Sequence, residues 1–286
     1  MTNTASKRIL AIHDLSGFGH TSLMAFIPIM YRLGIRVCAL PTAILSANTD
    51  FPDPRWADLS EHLEGFAAHW KELGLRYNAI CSGFLASARQ AELVGRIIDQ
   101  LRQKDTLVLV DPVMGDNGRI YSCFHEDLVQ AMRKLIAKAD LITPNFTEAA
   151  LLAGADPATE PDPARVLDWC RAIATRGPKQ IVVTSVPGSS ADRLEVRHYD
   201  AETDSFSTHP FAVKPGHHPG AGDCFSALLA AGRVNGYPLE ACVKAAVGIM
   251  SRAILEELPA GADWREGIAL EHLLQWDLPA YFRGEG

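Results

Sequence analysis

The chain has 286 residues, 48% hydrophobic and 21% charged, and its 27 Lys and Arg against 34 Asp and Glu leave a net charge of −7. That length allows one large α/β domain or two small ones, and the acidic balance carries no electrostatic footprint for nucleic acid or an anionic membrane. No apolar run approaches a membrane span, and the N-terminal MTNTASKR lacks the apolar core of a signal peptide.

In chain order, RILAIHDL (8–15) reads as a strand and residues 21–34 as a helix ended by Gly34. RVCALPTAIL (36–45) returns as a strand and leads into the turn-rich SANTDFPDP. The spacing then predicts a helix over 56–73, a strand over 77–84, a helix over 87–103 and a buried strand over 106–113. A helix near 125–138, a strand over 139–145, helical pieces at 147–153 and 163–176, and the strand 180–186 follow. From about 193 to 213, LEVRHYD and FSTHPFAV read as an antiparallel pair at one edge. Helices at 222–235 and 238–257 and a short amphipathic segment close the chain. Strands separated by helices imply βαβ units and a mostly parallel sheet covered on both faces. No linker, low-complexity run or repeat divides it, so residues 1–286 are expected to form one domain. The six cysteines (38, 81, 123, 170, 224, 242) show neither a CxxC pair nor zinc spacing, which suits free thiols in a reducing cytoplasm.

In open α/β sheets, ligands bind beyond the carboxyl ends of the strands. The unusual residues gather at those ends: HDLSGFGH, SANTD, SGF, DPVMGDNG, TPNFTE, TSVPG and PGAGD. In PGAGDCF, glycines let backbone N–H groups turn inward at a helix start, which makes an anion hole. Asp223 would be misplaced there as a mere phosphate ligand, but as a general base it could take a proton from an alcohol while the N–H groups steady a phosphoryl group. A simple capping role is the alternative. DPVMGDNG puts Asp111 and Asp116 in a Gly-containing loop after a buried strand, a donor type that suits Mg²⁺ through water; an ordinary Asp-Pro turn is the alternative. In TPNFTEAALL, Asn145 or Thr147 can cap the helix that carries Glu148. His13 and His20 read as a core and a loop histidine, while His217 and His218 could reach substrate or be solvated. HDLSGFGH lacks the third glycine of a dinucleotide loop, and neither GxxxxGK[ST], the protein-kinase signatures nor GxSxG occurs.

Together, GAGD before an apolar helix, DPVMGD after a strand and TPNFTEAALL resemble the ribokinase superfamily, and within it the pyridoxal/pyridoxamine (vitamin B6) kinases, from about residue 8 to 257. The resemblance implies a ribokinase-like three-layer α/β/α fold with a mostly parallel central sheet, an antiparallel edge and no separate lid domain. It implies transfer of the ATP γ-phosphate to the 5′-hydroxymethyl of pyridoxal, pyridoxamine or pyridoxine, with Mg²⁺ and a K⁺ or Na⁺ ion, in a homodimer.

By position, Asp223 resembles the family's base, with Gly220, Ala221 and Gly222 as the anion hole. Asp111 resembles the acid near the phosphates, and Asp116 and Glu148 resemble the Mg²⁺-associated acids. Thr143, Asn145, Thr184 and Ser185 would line the phosphates, and Thr208 to Phe211 would lie near adenine. Asp14, Ser16, Thr49, Phe84 and His218 would face the substrate.

The first loop departs from the family pattern in two respects. HDLSGFGH replaces the more usual QS-plus-VG form, so Asp14 could pair with a ring nitrogen or an amine. HDLSG is also similar to the first loop of hydroxymethylpyrimidine kinases, which keeps that activity as an alternative, alongside a vitamer-binding relative without catalysis. The loop RIYSCF (119–124) could fold over ATP through Tyr121 or Cys123, or be a surface turn.

Overall fold

Side chains alternate across the first strand: Ile9 and Ala11 enter one apolar layer, Leu10 and Ile12 the other, and all four are fully buried. In this computed structural model, which describes residues 6–121, 124, 126–158, 162–190, 192–214 and 216–286, the same split recurs along the central strands. Val108 and Val110 oppose Leu109, and Ile181 and Val183 oppose Val182. A sheet buried on both faces must carry apolar residues at every position, which explains the continuous runs read in the sequence.

The elements are β1 (Arg8–Ser16), α1 (Ser22–Arg32), β2 (Arg36–Leu45), β3 (Trp56–Asp58), α2 (Ser60–Glu72), β4 (Ala79–Ser82) and α3 (Ala88–Leu101). Then come β5 (Leu107–Val110), β6 (Gly115–Asp116), β7 (Arg119–Ile120), α4 (Glu126–Ile136), β8 (Leu141–Ile142), α5 (Phe146–Ala153) and α6 (Val166–Ala174). The chain ends with β9 (Gln180–Pro187), β10 (Arg193–Asp200), β11 (Ser205–Ala212), α7 (Ala221–Val234), α8 (Leu239–Leu255), α9 (Leu270–Leu273) and α10 (Leu278–Arg283). The nine-stranded sheet runs β11-β10-β9-β8-β5-β4-β1-β2-β3. From β2 to β9 its pairings are parallel, and β10 and β11 add the expected antiparallel edge. Helices α2 to α6 cover one face, and α1, α7, α8 and the C-terminal helices cover the other. The fold is therefore the three-layer α/β/α arrangement, and residues 17–21 alone join β1 to α1, with no lid inserted there.

Two local expectations are corrected. Residues 56–58 are not the start of a helix; they form β3, antiparallel to β2 with Ile44 opposite Ala57. The helix begins only at Ser60, where the Asp58 carboxylate accepts the Ser60 N–H at 2.8 Å and stops the strand. The DPVMGDNG loop is also more ordered than a loop: β6 and β7 pair across Asn117 and Gly118, both at positive φ, as a tight hairpin requires. Among the described residues, no helix is long and apolar enough to cross a membrane, and the five described cysteines are free. Cys123 lies outside the described residues.

β1 pairs with β2 on one side and β4 on the other, so chain order reverses between β1 and β4. The carboxyl ends there open the crevice expected at such a switch point.

Candidate active site

The tight turn that launches α7 faces this crevice. Gly220 has φ 77°, and a Cβ on it would collide with the His20 carbonyl oxygen, so only glycine fits. The Ala221 N–H turns back onto His218 O at 3.1 Å. That contact narrows the anion hole read as Gly220, Ala221 and Gly222, because at a helix start it leaves the N–H groups of Gly222 and Asp223 without intrahelical acceptors. Gly222 lies close to Asp111, and a Cβ on it would sit 3.9 Å from Asp111 Oδ2.

Asp223 points back toward β1 and α1. Its Oδ2 accepts the Ser22 N–H at 2.8 Å, and its side chain is 14% exposed. Burial, with the Asp111 and Asp14 charges adding to it, pushes its carboxyl up to about 8. An acid held near neutrality is matched to accepting a proton. Ser22, which the sequence reading missed, holds the centre together: at φ 50° it gives its N–H to Asp223 and its hydroxyl to Asp14 Oδ1. A non-glycine residue in that conformation is strained, and strain of this kind gathers at functional sites. No sequence pattern marks Ser22, because it is the first residue of an ordinary-looking helix.

Asp14 is 3% exposed and also accepts from Ser16 Oγ at 3.3 Å. Its carboxylate thus meets two hydroxyls, and burial raises its pKa against their opposing effect. In this arrangement Asp14 and Ser16 support Ser22 rather than present a free charge to the crevice.

On the other side of α7, Asp111 Oδ2 accepts from Ser226 Oγ at 2.9 Å, and Ser226 meets Thr143 Oγ1 at 3.0 Å. Burial pushes Asp111 up to about 6. Glu148 and Asn145 form a full capping box: Glu148 Oε2 accepts Asn145 N–H at 2.8 Å, and Asn145 Oδ1 accepts Glu148 N–H at 2.9 Å. Glu148 Oε1 takes the Met114 N–H at 3.0 Å, which ties α5 to the loop after β5. Burial and then the Asp111 charge hold Glu148 well above the usual carboxylate range. Two buried acids that repel each other favour a cation between or beside them. Asp116, half-buried, turns both oxygens onto Asn117, at 2.8 and 3.1 Å. Among the described residues, no three His, Cys, Asp or Glu side chains form a ready metal cage.

The remaining sequence candidates divide. Thr184 joins the group at β8, its N–H on Pro144 O at 2.9 Å, and Ser185 follows at φ 55°. Phe211 reaches the level of Pro187 at the sheet edge, while Thr208 lies exposed mid-strand at the level of Val183; neither meets the Asp111 and Asp223 group. Thr49 is exposed and Phe84 half-buried, with its ring 5.4 Å from Phe124. His218 turns Nε2 onto Lys214 O at 2.9 Å. His217 reaches across to Asp50 at 3.1 Å, and Arg265 stacks on Phe51, so the loops after β2, β11 and α8 meet over the crevice. Beside His218 and Pro219, a pocket of about 400 Å³ opens between Lys214, Ala253, Ile254 and Trp264. Tyr121 packs 6.3 Å from Phe124, and burial with the Glu148 and Asp116 charges raises its hydroxyl.

The sequence profile of the family described as phosphomethylpyrimidine kinase matches residues 64–266. Pyridoxal kinase PdxY of Pseudomonas syringae pv. tomato is 30% identical over 270 residues, covering 90% of this chain and 91% of that protein. Among solved structures, pyridoxal kinase from Lactobacillus plantarum superposes with a TM-score of 0.84 at 33% identity, covering 95% of this chain and 96% of that one. A Bacteroides thetaiotaomicron protein, described as a candidate phosphomethylpyrimidine kinase and solved with pyridoxal, gives a TM-score of 0.90 at 36% identity, with 96% of each chain covered.

Proposed function

Since the chain belongs to the phosphomethylpyrimidine kinase family and stands within it beside the pyridoxal kinases, we propose that it phosphorylates the 5′-hydroxymethyl group of a B6 vitamer with ATP. The observation that carries the reading is Asp223: a nearly buried carboxyl with its pKa pushed up to about 8, at the first turn of α7, beside unpaired backbone N–H groups. Residues 1–286 act as one kinase domain in the cytoplasm.

In this mechanism the vitamer hydroxyl lies against Asp223, which takes its proton as the oxygen attacks the γ-phosphorus. The N–H groups of Gly222 and Asp223, at the turn formed by Gly220 and Ala221, steady the charge on the transferring phosphoryl. Thr143, Asn145, Thr184 and Ser185 line the phosphate path, and Asp111 faces it. The pocket beside His218, which the chain enters after Thr208 and Phe211 on β11, takes the nucleotide base. Phe84, Thr49 and His218 border the vitamer, and Asp14 and Ser16 hold Ser22 in place. The mutually repelling Asp111 and Glu148, with Asp116 nearby, would hold Mg²⁺, which would neutralise charge on the phosphates. A K⁺ or Na⁺ ion is a further requirement, tested by comparing turnover in potassium, sodium and tetramethylammonium salts. Exposed Ile44 and Trp56 on the β2 and β3 edge suit a second copy of the chain, which light scattering would detect as a homodimer.

The test is ADP release with Mg-ATP against pyridoxal, pyridoxamine, pyridoxine and hydroxymethylpyrimidine, with Asp223→Asn as control. Turnover on a pyridine, lost in the variant, is the expected result. Turnover on the pyrimidine alone would move the substrate to the alternative that HDLSG raises, and vitamer binding without ADP would make the protein a non-catalytic relative.

A further inference from the structure

His13 follows the apolar run Ile9–Ile12 of β1 and is 1% exposed. Strand alternation carries it, after Ile9 and Ala11, into the layer of α1 and α7, where its ring lies 5.1 Å from Phe26. The other side is closed by Gly83 of the loop after β4, where any Cβ would collide with His13 Nδ1 and Cε1. The imidazole therefore fits only because residue 83 has no side chain. Both ring nitrogens are shielded from solvent, and neither has a hydrogen-bond partner. Buried polar atoms are nearly always paired, so an imidazole orphaned at both nitrogens calls for a reason. The acidic atom facing it is Asp223 Oδ1, 3.8 Å from Nδ1.

Resting on the reading of Asp223 as the base, we propose that His13 is a positioning residue whose neutral Nδ1–H donates to Asp223 Oδ1 when that carboxylate is ionised. Ser22 N–H already holds Oδ2, so the two donors together fix the plane of the carboxylate toward the substrate hydroxyl. His13 is shut off from the crevice and acts on the reaction only through Asp223.

The resting geometry agrees with this. Burial pushes His13 down to about 3, so no imidazolium takes part. Without ligand, Asp223 holds a proton near neutrality, and an uncharged Oδ1 draws the Nδ1–H only weakly; the 3.8 Å gap is about 0.8 Å beyond an ordinary hydrogen bond. During transfer Asp223 starts as the carboxylate. The alcohol O–H bond breaks, the new O–P bond forms as the bond to ADP breaks, and the proton ends on Asp223. His13 keeps its own proton throughout. Asp14 and Asp111 are the other charges that bear on Asp223, and both stay in place in the variants below. A charge-assisted hydrogen bond is stronger than a neutral one, so His13 lowers the proton affinity of the base.

The experiment is the pH dependence of kcat/KM for the full chain, His13→Phe, His13→Gln and Asp223→Asn. Phe keeps a ring against Phe26 and Gly83 but cannot donate, so its acid limb should move up by about one pH unit, a tenfold change in proton affinity. Gln, whose amide can donate, should return the limb toward the parent value. An unmoved limb in His13→Phe with Asp223→Asn inactive overturns the role of His13 and leaves the base standing. Turnover retained in Asp223→Asn overturns the base, and the role of His13 with it. Should the His13 variants unfold, ¹⁵N-histidine NMR of the parent chain decides instead. A neutral His13 whose Nδ1 shift steps with Asp223 ionisation, and loses the step in Asp223→Asn, is expected; a flat shift in both overturns the proposal.

Discussion

Asp223→Asn tests the electrostatics of the site without any substrate. In the folded chain, burial first and the Asp111 and Asp14 charges second push this carboxyl from its ordinary 3.8 up to about 8. A raised folded value means that the folded state holds a proton which the unfolded chain releases. The stability it contributes is therefore fully present below pH 3.8 and is lost as pH rises through 8. Between these limits the slope is about 1.4 kcal/mol per pH unit, so pH 5 to 7 gives about 2.7 kcal/mol at most. The 14% exposure of the side chain admits some screening, and about 2 kcal/mol is a fair expectation. Asn cannot follow this titration, so the stability of the variant relative to the parent should rise by about 2 kcal/mol over that range. His13, Asp111 and Glu148 are common to both proteins, which makes the difference specific to position 223. Urea melts at pH 5, 6 and 7 with equal m-values would measure it, and parallel curves for the two proteins would refute the burial argument. In the same variant, turnover should fall by about 10²- to 10⁴-fold.

Gly220→Ala forces a Cβ into the His20 carbonyl at a positive φ, so a loss of more than about 1 kcal/mol is expected in thermal melts, together with loss of turnover. Glu148→Gln removes a charge beside Asp111 and one of the two acceptor oxygens that hold the Met114 and Asn145 N–H groups; turnover should then need about tenfold more Mg²⁺, read from a Mg²⁺ titration. His217 is raised by its hydrogen bond to Asp50, so the tether between the loops after β2 and β11 is complete below pH 6.5 and is lost as pH rises through the higher folded value. Proteolytic cutting within 46–55 should increase across that range in the parent chain and be insensitive to pH in Asp50→Asn.

The layered sheet was legible because it is written in local chemistry. Val108, Leu109 and Val110 cannot belong to anything but a doubly covered strand when helices of 3.6-residue period flank them. Asp223, Asp111 and Glu148 were legible for a related reason: acids in Gly- and Pro-rich turns at strand ends stand out against an apolar background. Residues 56–58 were misread because three exposed residues hold no period of their own, and only pairing with Ala43, Ile44 and Leu45 makes them a strand. Ser22, His13 and Gly83 were beyond any reading of spacing. Each owes its part to a neighbour far along the chain: Ser22 to Asp223, His13 to Asp223 and Gly83 to His13. Periodicity, turn chemistry and helix starts are properties of a few consecutive residues, so the sequence by itself determined the elements and the loops that carry the acids. Which donors meet which carboxylate, how deeply each is buried and hence what proton affinity it has depend on distances between β1, α1, β4 and α7, and these exist only once the layers have packed.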